Sequence, residues 1–150
     1  MNDIEKVFKN TGEIYLNNKL IKESSTIFKV RTLKTVNLRV RIKVINVCPC
    51  CNKRLLEVVV KNIGENPATK VNLICTFSPV PIKVKYSQGT HKIKNNIGKI
   101  TFQIESILPK EKHKIRLKVT PRCECTHLMA LATSNEPQND IANNVTMKRI

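Results

Sequence analysis

Six cysteines, at positions 48, 50, 51, 75, 123 and 125, hold most of the chemistry open to this 150-residue chain. Five of them form two short clusters, Cys48-Pro49-Cys50-Cys51 and Cys123-Glu124-Cys125. Cys48 and Cys51 have the C-x-x-C spacing of zinc sites, and Cys123, Cys125 and His127 would complete a tetrahedral ligand set. The same thiols are equally suited to disulfides, within one chain or between chains, or to remaining reduced and exposed. Cys75 stands in phase with Val71, Leu73 and Phe77, so it reads as a small buried hydrophobe. A redox-enzyme reading of the Cys-Pro-Cys-Cys run lacks the helix N-terminus that would lower a thiol pKa. His91, His113 and His127 lie in separate turn-like segments and form no triad with a serine. With no Gly-rich phosphate loop, no HExxH and no paired carboxylates, an enzyme is not expected.

The segments between the clusters must place them, and their pattern is that of strands. Val36, Leu38, Val40, Ile42 and Val44 alternate with Asn37, Arg39, Arg41 and Lys43. A period of two turns one apolar face inward and one basic face outward. The same alternation marks Leu56–Val60, Val71–Phe77, Ile82–Tyr86, Ile100–Ile104 and Ile115–Val119, the last with Lys114, Arg116 and Lys118 facing out. Weaker strands are expected over 128–133 and 145–150. Turn chemistry separates them at Asn62-Ile63-Gly64, Ser78-Pro79, Ser87-Gln88-Gly89, Asn95-Asn96, Pro109-Lys110 and Asn135-Glu136-Pro137. Short, evenly spaced strands with such turns predict an all-β sandwich of about seven to eight antiparallel strands over residues 28–150. Residues 1–27 read as an N-terminal arm, or as a small hairpin turning at Asn17-Asn18.

Strand count decides whether the two cysteine clusters can meet. If the six runs from Val36 to Val119 are separate antiparallel strands, the chain reverses at each loop. The loops at 48–53 and 121–127 then fall at opposite ends, about 20 Å apart. Disulfide Cα atoms must lie within about 7 Å, so this count excludes zinc or a bridge between clusters. It favours thiols at both poles, linking copies head to tail. If Ile82–Tyr86 merely continues the preceding strand, the parity flips and the clusters meet.

Composition narrows the classes further. Lys and Arg number 27 against 11 Asp and Glu, a formal charge of +16, and hydrophobic residues make up 41%. That is a globular composition, and 150 residues can bury one real core. No apolar run approaches the roughly 20 residues of a membrane-spanning helix. The first ten residues hold Asp3 and Glu5 and no apolar h-region, so no secretory signal is expected. The charge predicts attraction to acidic polymers. Aromatics are 4% and Trp is absent, so sequence-specific nucleic-acid recognition is not expected.

Asn62-Ile63-Gly64 after an apolar strand, Ala68 and Val71 opening the next, Leu108-Pro109-Lys110-Glu111, and Asp140 before Asn143-Asn144-Val145 occur in that order. Over residues 33–150 this resembles the bacterial and archaeal conserved-repeat domain of unknown function, number eleven in its series, and the related CARDB-type adhesion sandwiches. That family usually has Gly where Lys110 stands, and an aromatic residue, often Trp, on the strand carrying Phe102. The resemblance implies an Ig-like module serving as spacer, adhesion or scaffold material in surface proteins, with no catalytic residues.

Clustered thiols suit an oxidising exterior, while no export signal is expected. Spore-coat proteins, made in the mother-cell cytoplasm and later cross-linked, meet both conditions. The expected function is therefore a non-catalytic structural or adhesion module of a bacterial surface layer, a spore-coat component included. Its expected partners are further copies of itself or other coat and surface proteins. Cys48, Cys50, Cys51, Cys123 and Cys125 are the expected cross-linking residues, and no cofactor is required. The alternatives are a zinc-stabilised cytosolic module for acidic partners and a nonspecific polyanion binder.

Overall fold

The computed structural model describes residues 4–16, 19–32, 34–48, 50–86, 92–96 and 98–150. The chain divides into two compact units, Met1–Lys34 and Thr35–Ile150. The first is a long hairpin of β1 (Ile4–Leu16) and β2 (Lys19–Thr32). They pair antiparallel from Ile4 opposite Thr32 to Leu16 opposite Lys19, with one irregularity between Ile14 and Tyr15. The Asn17-Asn18 connection lies outside the described residues. β2 runs through Phe28 to Thr32, and the second unit opens at Thr35.

The second unit is an Ig-like antiparallel β-sandwich. One sheet joins β3 (Leu38–Cys48), β4 (Lys53–Asn62), β9 (Lys112–Thr120) and β6 (Lys83–Tyr86), in that spatial order. The other has the order β11 (Val145–Arg149), β10 (His127–Thr133), β5 (Ala68–Ser78), β8 (Lys99–Ile107) and β7 (Lys92–Asn96). A 3₁₀ turn, Ile141–Asn144, leads into β11.

The alternation of apolar residues decides which face of each strand is buried. Val40, Leu56, Val58, Leu73, Phe102, Ile115, Leu117 and Leu128 project between the sheets and are essentially inaccessible. Each such side chain contributes about 1.5–3 kcal/mol relative to leaving it exposed. Cys75 belongs to this layer, and burial pushes its thiol up to about 12. Tyr86 closes the side of the core, its ring edge-on to Phe102 at 5.8 Å between centroids. Ile82, expected to share the inward face of Val84 and Tyr86, instead precedes β6 and is 67% exposed.

The outer faces differ in composition. Across β10 and β11, Met129 lies opposite Met147 and Leu131 opposite Val145, an apolar stretch bounded by His127 opposite Arg149. The outer face of the β3-β4-β9-β6 sheet carries the Lys and Arg residues of the alternation.

One strand escapes the sequence pattern. β7, Lys-Ile-Lys-Asn-Asn, contains a single apolar residue and so shows no alternation. Asn95-Asn96, expected as a turn, are strand residues opposite Ile100 and Lys99. The reversal falls one step later, at Gly98, whose φ of 71° suits glycine. A Cβ there would approach Val80 Cγ2 to 2.9 Å. The extra strand adds one reversal between β6 and β8, which inverts the parity count.

The end of the sandwich opposite the cysteines is laced by side chains. Buried Asn62 donates to the carbonyls of Asn66 (2.7 Å) and Ile107 (3.0 Å), and accepts from the Gly64 amide at 3.0 Å. Val36 pairs in parallel with Gln138, and its amide donates to Pro137 O at 2.9 Å. Glu136 accepts from the Thr69 amide at 2.9 Å and hydroxyl at 2.5 Å. Desolvation alone would raise the Glu136 carboxyl, but these hydrogen bonds outweigh it and hold the group below its ordinary value. Asn144, oriented to satisfy both groups, donates to Leu38 O at 2.8 Å and Asp140 O at 3.1 Å. Lys110 adopts a φ of 68°, in the left-handed region that favours glycine.

Candidate functional site

Cys48 ends β3, the β3–β4 loop carries Cys50 and Cys51, and the β9–β10 loop carries Cys123 and Cys125. Antiparallel pairing brings these loops to one end. Lys53, the first residue of β4, lies opposite Cys48, and Arg54 lies opposite Val119 near the end of β9. Asn52 then donates its side-chain amide to Pro121 O at 3.3 Å, joining the loops directly. The expected placement at opposite poles is thereby corrected, because β7 supplies the reversal that the count lacked.

Each loop closes on itself covalently. Cys48 bonds to Cys51 with a Cα separation of 5.6 Å, and Cys123 bonds to Cys125 at 5.2 Å. Asn52, with φ 46°, turns the first loop back into β4, a conformation asparagine tolerates. In the second loop Cys123 O accepts from the Thr126 amide (3.2 Å) and hydroxyl (2.9 Å). Arg149 Nε donates to Glu124 O at 2.7 Å, and Arg122 Nε to Val80 O at 3.2 Å. These bonds brace the second loop against β11 and the β5–β6 connection.

Cys50 is left over. It is exposed and unbonded, with its Sγ 3.3 Å from Cys48 Sγ. Beside this loop lies an open hollow of about 300 Å³, lined by Cys48, Cys51, Lys53, Arg54 and Lys118 among others. The sulfur atoms of Cys48, Cys50 and Cys51 lie within 4.8 Å of one another. Among the described residues this is the group of three or more metal-capable side chains at ligating separation. The mixed set expected from the sequence is not gathered: Cys123, Cys125 and His127 stand apart from it. The C-x-x-C spacing drew attention to Cys48 and Cys51, while Cys50, next to Cys51 in the chain, completes the group.

His127 is the first residue of β10, opposite Ser78 and Arg149, and not a turn residue. His113 lies within β9, its Nε2 3.8 Å from Glu111 Oε1. His91, like Ser87-Gln88-Gly89, falls outside the described residues. No helix among the described residues is long and apolar enough to cross a membrane.

No family model matches this chain, and no curated protein matches it. Among solved structures it is similar to the GH20 exo-β-N-acetylglucosaminidase from Vibrio harveyi, determined in complex with N-acetylglucosamine. The identity is 8% and the TM-score 0.45. The match covers 69% of this chain, which spans 19% of the length of that one.

Proposed function

We propose that this chain is a non-catalytic structural module of a bacterial surface layer, spore coat included, joined covalently to a neighbour through its cysteine-bearing end. The observation that supports this is Cys50, an exposed free thiol beside a disulfide in a protein whose other free described thiol, Cys75, is buried. A Cys50 thiolate attacks a disulfide sulfur of a neighbouring molecule, forming one S–S bond and expelling one thiolate. A second copy supplies such a disulfide, Cys48–Cys51, so the linkage consumes no net oxidant. Because both cysteine loops share one end, the joint is end to end. Head-to-tail chains through two poles do not follow from this layout.

Mass spectrometry of protein isolated without reductant tests the proposal. The expected product is a covalently linked species that reductant dissolves and Cys50→Ser abolishes. N-ethylmaleimide adds once to the folded monomer and twice after denaturation. Cross-linking that survives Cys50→Ser overturns the assignment, and absence of the protein from purified spores and cell surfaces overturns the location.

A second reading has its own supporting observation, the three sulfurs within 4.8 Å. Reduced, Cys48, Cys50 and Cys51 offer three thiolates to a zinc ion, with an external fourth ligand. A zinc-sized mass increment, lost with chelator and carried by an unlinked monomer, selects this reading.

A further inference from the structure

The sheet β3-β4-β9-β6 gathers cations that lie far apart in sequence. On its outer face β3 presents Arg39, Arg41 and Lys43, and β9 presents Lys112, Lys114, Arg116 and Lys118, most of them exposed. The two strands flank β4, so their cations form parallel rails about 9.5 Å apart, with roughly 6.7 Å between successive charges along each. Between the rails β4 presents half-buried Leu55 and Val59 on either side of Glu57. Glu57, 7% exposed, has Lys114 Nζ at 3.8 Å and Arg116 Nε at 3.9 Å.

Much of the face is set against itself electrostatically. Register places Arg39 opposite Lys61 and Lys61 opposite Lys112, a row of three cations with no acid in it. On the other side Lys85 lies directly opposite Lys118. Like charges directly across strands destabilise a sheet. The face therefore gains from an anionic partner in a way that isolated surface lysines do not.

We infer that this face docks on the phosphate backbone of double-stranded nucleic acid, without reading bases. Its nine-residue central strand β9 spans about 30 Å, along which a duplex presents one negative charge per about 1.7 Å. Among the described residues this face presents no helix or projecting two-stranded ribbon to enter a groove, so its contacts go to phosphates, which carry no sequence information directly. Unstacked single strands need an aromatic platform, and Tyr86 is committed to Phe102. Lipid insertion needs apolar side chains within the face. Within the face Leu55 and Val59 are half-buried, and the exposed apolar residues of β3, Ile45 and Val47, lie beyond its irregularity at the cysteine end.

Anisotropy titration of a labelled, mixed-sequence duplex against the full chain carrying Cys50→Ser separates this inference from the cross-linking proposal. One variant reverses three exposed charges on the face (Arg41→Glu, Lys112→Glu, Lys118→Glu). A control reverses three elsewhere (Lys19→Glu, Lys99→Glu, Lys148→Glu), with the same change in net charge. Each phosphate contact contributes about 0.9 to the log–log salt slope, so the face variant should lose roughly 2.7 of slope and more than tenfold in affinity near 0.1 M salt. The control should retain the slope and lose less than about threefold. A matching Gln set on the face, with thermal melts of all variants, separates lost binding from lost folding. Equal losses in the two Glu variants overturn the inference, leaving net charge alone. Tighter, face-dependent binding of poly-glutamate or anionic vesicles overturns the choice of occupant.

Discussion

The side-chain amide of Asn52 donates to the carbonyl of Pro121 at 3.3 Å, tying one cysteine loop to the other. Asn52 does this from a left-handed conformation, φ 46°, that lets the loop re-enter β4. Lys110 occupies a similar conformation at the opposite end, with φ 68° and its amide donating to Asn62 O at 2.9 Å.

These two positions respond differently to glycine. At Asn52, alanine loses the hydrogen bond and keeps the cost of a Cβ at positive φ, for a loss of about 1–2 kcal/mol. Glycine loses the bond alone, about 0.5–1 kcal/mol. At Lys110 both replacements remove the Nζ contact to Ile63 O, so their difference isolates the backbone. Lys110→Gly is expected to be more stable than Lys110→Ala by about 1 kcal/mol. Urea melts of the four variants check both expectations, and equal stability of the Lys110 pair would contradict the second.

Glu136 gives the fold a dependence on acid. Its carboxyl titrates below the ordinary value when folded, so the unfolded chain binds the proton first as pH falls. The stabilisation is complete above the unfolded pKa, about 4.3, and disappears as pH drops through the lower folded value. Glu136→Gln is therefore expected to weaken the protein at pH 7 and by the same amount at pH 5.5. The gap should close toward pH 3. Denaturant melts at the three pH values measure it, and a gap independent of pH would remove the carboxylate from the account.

Cys75 gives a dependence at the other extreme. Its folded pKa of about 12 lies above the unfolded value near 8.5. Between these limits the unfolded chain sheds a proton that the folded chain keeps, so stability falls as pH rises. The slope approaches about 1.4 kcal/mol per pH unit. Cys75→Ala is expected to remove this contribution while itself costing little volume. Parallel melts from pH 8 to 10.5 test it; identical slopes for both proteins would show the thiol to be reachable by water.

Where the chain alternates, the fold was legible. Leu38–Val44, Leu56–Val60, Val71–Phe77 and Ile115–Val119 announce their inward faces because one side of each strand is buried. β7 was not, because an edge strand with a single apolar residue leaves no period to read. That one omission moved the cysteine loops to opposite ends in the count, although every cysteine had been singled out. The outward direction of Arg41 and Lys114 was likewise legible from period two. Their membership of one sheet was not, because it depends on β9 crossing back to pair with β4, Lys61 opposite Lys112 and Arg54 opposite Val119, after the intervening chain has built strands of the other sheet.

The two outer faces carry one more consequence. The sandwich carries rails of cations on one sheet and, across β10 and β11 of the other, an apolar stretch of Met129, Met147, Leu131 and Val145 bounded by Arg149, so its two sheets differ in charge density. An anionic support exerts a torque on such a sandwich that favours contact through the cation-bearing sheet, and added salt weakens that preference.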